Sequence, residues 1–183
     1  MTRKMLNRVY AVRMPWILFL LVLTLSSCQE EKRRPVYVSY NDYSETSYAR
    51  SGDETVIPFR TENGVKYVQV KVNGVVLEMI FDTGCSSTLI SLAEANYLYQ
   101  KGLLKLQDIL GVTQSMIADG SVVEDMEVNL REVIIADRIL CRDVRAVVSS
   151  NVNAPLLLGN EVLDRLATIK IDNENKTLIF RLK

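Results

Sequence analysis

The sequence predicts a mainly β fold: a small closed barrel with one or two short helices. Two observations lead there. Val68, Val70 and Val72 alternate with Tyr67, Gln69 and Lys71, the period of a strand with one buried face, and Asn73-Gly74 then turns the chain into a second apolar run, Val75 to Phe81. Val128, Leu130, Val133 to Ile135, Ile139, Leu140 and Val144 to Val148 add enough further strand to close a barrel.

At the N-terminus, Arg3, Lys4, Arg8 and Arg13 precede the apolar stretch Trp16 to Leu25, and Ser26-Ser27-Cys28 closes the segment. Residues 1–27 read as an export signal, because the apolar run falls short of the roughly 20 residues a spanning helix needs. Small residues directly before a cysteine resemble the bacterial lipobox. That resemblance implies cleavage before Cys28, thioether lipidation of its sulfur and acylation of the new amino group. The alternative is an uncleaved signal anchor with an incidental cysteine. Both readings put the domain on the extracytoplasmic side, and the first implies a bacterial cell envelope protein, periplasmic or at the surface, anchored to the membrane by lipid. Residues 28–55 are polar and carry Tyr37, Tyr40, Tyr43 and Tyr48 without a stable period, so they read as a flexible tether with a root-mean-square span of roughly 30 Å. Docking of the tyrosines on the domain or on a partner stays open.

Residues 56–183 form one domain of ordinary size. Ser91-Leu92-Ala93-Glu94 is a capping box and Gly102 a helix stop, which bounds one helix, and Leu103 to Leu110 offers a short second one. Ile117 to Val122 places Asp119-Gly120 between strand-like runs, as in a tight hairpin turn. Pro155 to Asn160 is an apolar run that turns at glycine into a short helix, Glu161 to Leu166, and residues 167–172 and 177–182 make a terminal hairpin. Strand, turn and helix at Phe81 to Tyr99 recur loosely at Leu156 to Leu166.

The chemistry lies at Asp82-Thr83-Gly84, which ends the run Val75 to Phe81 and precedes Cys85-Ser86-Ser87-Thr88. A carboxylate at the end of a buried strand is costly unless its charge is shared, hydrogen-bonded or used. A purely local reading is an Asx turn, with Asp82 bonding its own backbone and Gly84 at positive φ. Hydrophobic strand, D-T-G, small polar residues and an apolar pair, followed by a hairpin with Asp-Gly and an apolar-apolar-glycine turn, resemble the aspartic peptidases. Within them the chain resembles the single-motif, retropepsin-like branch (clan AA) in its bacterial form, from about Tyr67 to Leu182. The resemblance implies an acid-protease β-barrel. It implies that Asp82 is catalytic and that Thr83, Gly84 and Cys85 form the active-site loop. Ala118, Asp119 and Gly120 become the tip of a flap that closes over an extended peptide, and Leu158 and Gly159 a structural turn beneath the loop. Cys85 departs from the alanine or serine more usual after D-T-G, and the segment between Ser91 and Gly111 is longer than in compact viral members.

One D-T-G supplies one carboxylate where the chemistry uses two, so the reading calls for a homodimer with Asp82 and its symmetry mate facing one another at the axis. The pair would hold one proton, one member acting as general base on a shared water and the other as general acid toward the peptide carbonyl oxygen. Thr83 would, by resemblance, lock the two loops across the axis. The expected function is a membrane-tethered aspartic endopeptidase acting on peptide or protein substrates. The alternative is a catalytically silent, retropepsin-like binding or assembly lipoprotein.

The chain has no histidine, which excludes Ser-His-Asp, Cys-His and most zinc hydrolase sites, and no cofactor or metal is expected. Asp172-Asn173-Glu174-Asn175 lacks the glycine and closing glutamate of a calcium loop and reads as a turn. Removing residues 1–27 with their four basic side chains shifts the balance from 22 basic against 22 acidic to 18 against 22. No basic stripe points to nucleic acid. Cys85 and Cys141 are expected to be buried free thiols, without an imidazole to activate them.

Overall fold

The computed structural model describes residues 48–117 and 119–183. The expected export signal, the expected lipidation site Cys28, most of the expected tether and Ala118 of the expected flap lie outside them.

The chain joins the domain slightly ahead of the expected start at Val56. Gly52 N–H donates to Leu182 O at 3.1 Å. Strand β1, Glu54–Pro58, then pairs antiparallel with β11, Thr177–Leu182, which pairs on its other side with β10, Leu166–Asp172. In β1 the buried positions alternate, Thr55 and Ile57 facing in and Val56 out. Polar neighbours hide so short an alternation in the sequence.

The second sheet contains β2 (Arg60–Glu62), β3 (Val65–Val72), β4 (Val75–Phe81), β5 (Thr88–Ser91), β6 (Ile109–Met116), β7 (Val122–Ile135), β8 (Ile139–Ser149) and β9 (Leu157–Leu158). Their order is β2-β3-β4-β9-β5-β8-β7-β6, and β3 also pairs with β7, which closes the ring. A closed small β-barrel results, as the alternation in β3 and β4 implied. Asn73, at φ +46° in the β3–β4 turn, extends this closing contact. Its N–H donates to Glu132 O at 2.8 Å, its Oδ1 accepts from the Glu132 N–H, and its Nδ2 donates to Leu103 O. One turn residue thus fastens the hairpin both to β7 and to the loop after the helix.

Helix α1, Leu92–Gln100, is N-capped by Ser91, whose Oγ accepts from the Ala93 N–H at 3.0 Å and donates to the Glu94 carboxylate. Gly102 follows at φ +70°, ending the helix. The expected second helix shrinks to one 3-10 turn, Leu106–Asp108, because Ile109 onward is taken by pairing with β7. Helix α2, Asn160–Leu163, is a single turn. The barrel core is filled by Val68, Val70, Met79, Val128, Leu130, Ile135 and Leu158, all essentially inaccessible.

Candidate active site

Strand β4 runs into the barrel wall with Leu77, Met79 and Phe81 buried, and Asp82 emerges half-buried at its end. The neighbouring wall is β9, parallel to β4 with Ile80 opposite Leu157 and Phe81 opposite Leu158. Ile80 N–H donates to Leu156 O at 2.8 Å and Asp82 N–H to Leu158 O at 3.1 Å. Two segments far apart in sequence therefore end side by side, each followed by a glycine-containing turn.

In the loop, Gly84 N–H donates to Asp82 Oδ1 at 2.8 Å. That is the Asx geometry of the local reading, but without its backbone: Gly84 is not among the glycines at positive φ. The absence of a Cβ matters instead because one would stand 3.2 Å from Asp82 Oδ1 and crowd the carboxylate. Thr83, Gly84 and Ser86 are exposed. Cys85 is half-buried, not fully buried, and its Sγ–H donates to Ser87 O at 3.1 Å. Cys141 is a buried free thiol, and burial pushes its pKa up.

Beneath the loop lies Gly159, where a Cβ would come 2.1 Å from Ser87 O and 2.8 Å from Cys85 O. Only a glycine lets the backbones stack this closely. The first N–H groups of a helix have no partner within it, and here they find the loop. Asn160 N–H donates to Cys85 O at 2.9 Å and Glu161 N–H to Ser86 O at 3.0 Å, while Asn160 Nδ2 donates to Thr83 O at 3.1 Å. The carbonyls of Thr83, Cys85 and Ser86 thus hold the D-T-G-C-S loop onto α2. Sequence reasoning marked Leu158 and Gly159 but assigned nothing to Asn160, although an amide directly after the turn glycine was the available signal.

The hairpin β6–β7 carries the other predicted residues. Its tip is a wider loop than a two-residue turn: Ile117 N–H donates to Ser121 O and Gly120 N–H to Ile117 O, with Gly120 at φ +85°. Asp119 Oδ1 accepts from both the N–H and the hydroxyl of Ser121, which holds its carboxyl below the usual range. Val112 pairs with Met126 and Met116 with Val122. On β7 the same face continues through Val128 and Leu130 into the core. Beyond the barrel rim this face is uncovered and mixed, with Val112 74 %, Met116 76 % and Val122 58 % exposed and the Gln114–Glu124 pair between them, Gln114 Nε2 donating to Glu124 Oε1 at 3.3 Å. Among the described residues, no group of three or more His, Cys, Asp or Glu side chains is placed to hold a metal.

Strand, D-T-G loop, hairpin and glycine turn occur here in the order set by one known family. The family model described as "gag-polyprotein putative aspartyl protease" matches residues 68–165, more than half of the chain. The chain belongs to this aspartyl protease family. The match reaches from β3 to α2 and so takes in Asp82, the hairpin and the Gly159 turn. Among solved structures, a retropepsin-like aspartic protease from Rickettsia conorii is similar in fold, with a TM-score of 0.53 and 24% identity over 70% of this chain and 89% of that one. No curated protein matches the chain. The aspartyl protease fold is therefore shared while the sequence has moved far from that structure.

Proposed function

We propose that the protein is an aspartic endopeptidase that works as a homodimer and is tethered to a membrane of the bacterial envelope through lipid on Cys28. The observation that carries the reading is a single Asp82 presented half-buried on a loop fastened from below, in a chain of aspartyl protease descent. Peptide hydrolysis through an activated water uses a base and an acid, and a twofold axis beside Asp82 supplies both from one sequence. One carboxylate, unprotonated, takes a proton from the water as it attacks the scissile carbonyl carbon. The other, protonated, donates to the carbonyl oxygen, giving a tetrahedral diol. Collapse of that diol with proton transfer to the amine breaks the C–N bond and returns the pair to its starting state.

The β6–β7 hairpin serves as the flap. Its uncovered face, on which Val112, Met116 and Val122 flank the Gln114–Glu124 pair, covers an extended substrate and keeps bulk water from the bond. Substrate adds as a strand, bonded through its main chain. The lipid anchor rests on the basic, apolar and Ser-Ser-Cys pattern of residues 3–28, and confinement to a surface raises the local concentration and so favours pairing.

The deciding experiment is cleavage of a diverse peptide library by the full chain in detergent, over a range of protein concentration, beside Asp82→Asn. Activity that rises faster than linearly with concentration and disappears in the variant is expected. Asn still accepts the Gly84 N–H, so the loop keeps its shape. Cleavage that survives Asp82→Asn overturns the mechanism, and no cleavage by folded protein at any concentration moves the reading to a binding or assembly module.

A further inference from the structure

Asn160 touches the active-site loop twice, on either side of Gly84. Its N–H donates to Cys85 O at 2.9 Å, and its Nδ2 donates to Thr83 O at 3.1 Å. Thr83 C=O and Gly84 N–H are the two ends of one planar peptide unit. The far end of that unit donates to Asp82 Oδ1 at 2.8 Å. An unbroken line therefore runs from the Asn160 amide through one peptide group to the carboxylate.

We infer that Asn160 is a positioning residue, whose side-chain amide orients and polarises the peptide unit that holds Asp82. The inference rests on the proposed catalytic role of Asp82. The need for such a residue follows from the loop itself. Thr83 and Gly84 are exposed on the single chain, so packing within it does not set their conformation. Glycine rotates freely, and a flip of the Thr83–Gly84 peptide would swing the N–H away from Asp82 and turn a carbonyl toward it. A donor on the carbonyl end opposes that flip. It also strengthens the N–H at the other end, since hydrogen bonds in a chain polarise one another. The remaining bonds between α2 and the loop come from backbone N–H groups and survive any change at this side chain.

Two substitutions test this in the full chain. Asn160→Asp keeps the size but replaces the donor with an acceptor, at a first-turn helix position where a carboxylate is welcome. Asn160→Leu removes the polar group altogether. Both are expected to lower kcat by about 10- to 100-fold with KM within about threefold of wild type, the signature of a misplaced reacting group. The direct readout is amide hydrogen exchange at Gly84, isolated by labelling Thr carbonyl carbon and Gly nitrogen, since Thr83-Gly84 is the only Thr-Gly pair in the sequence. Exchange about tenfold faster in Asn160→Asp, at an unfolding midpoint close to wild type, supports the inference. Unchanged exchange at Gly84 overturns it, whatever the rates do. If the wild-type protein cleaves nothing, the peptidase reading fails while the exchange measurement still decides this one.

Discussion

Gly159 lies so close under Ser87 that a Cβ on it would stand 2.1 Å from the Ser87 carbonyl oxygen. The obstacle is backbone, so no side-chain rotation relieves it, and φ of −100° is open to any residue. Crowding alone demands the glycine. Gly159→Ala is therefore expected to cost about 3 kcal/mol or more in urea unfolding and to abolish cleavage in whatever still folds. A variant as stable as wild type would show that the loop does not rest on this residue.

Thr88 begins β5, just past the active-site loop, and is wholly buried. Among the described residues its hydroxyl is the one buried side-chain polar atom without a hydrogen-bond partner. Thr88→Val keeps the shape and removes the buried oxygen, so thermal unfolding should show a gain of about 1 kcal/mol. Destabilisation by a similar amount would mean that the hydroxyl is satisfied after all.

Asp108 anchors the base of the hairpin. Arg131 donates to both its oxygens, Nε to Oδ1 at 3.0 Å, and Lys105 N–H donates to Oδ2 at 2.7 Å. The Arg131 bond above all, helped by the Lys105 N–H and opposed by burial, holds the Asp108 carboxyl below the usual range. A carboxyl more acidic folded than unfolded stabilises fully above its unfolded value of about 4, and the contribution fades as pH falls through the folded value. Asp108→Asn should thus lower the urea midpoint at pH 7, and the gap from wild type should narrow as pH is taken below about 4. A gap that stays constant across that range would contradict the assignment.

The uncovered face of the hairpin gives a separate handle. Met116→Lys changes a side chain 76 % exposed, so stability should move by no more than about 0.5 kcal/mol. If substrate fills the space beneath, KM should rise by about tenfold or more, because a charge must then be desolvated against the peptide. Unaltered KM would place the substrate elsewhere.

Read as a sequence, the chain already announced much of this. Alternation at Val68 to Val72, the Asn73-Gly74 turn and the Ser91 cap depend on neighbours a few residues away, and the structure has each in place. Cys85 and the segment after Leu103 were less legible. The thiol's exposure depends on how the loop is tied down, and Ile109 onward became strand because β7 was there to pair with it.

What the sequence by itself determined was the strand-rich pattern and a carboxylate at the end of an apolar run, since periodicity and turn chemistry are local. The tertiary structure alone decided that β4 lies parallel to β9, that β3 closes on β7, and that Asn160 reaches Thr83 across 77 positions of chain. Those relations arise when separate strands bury their faces in one core, and no spacing along the chain encodes which backbones will then touch.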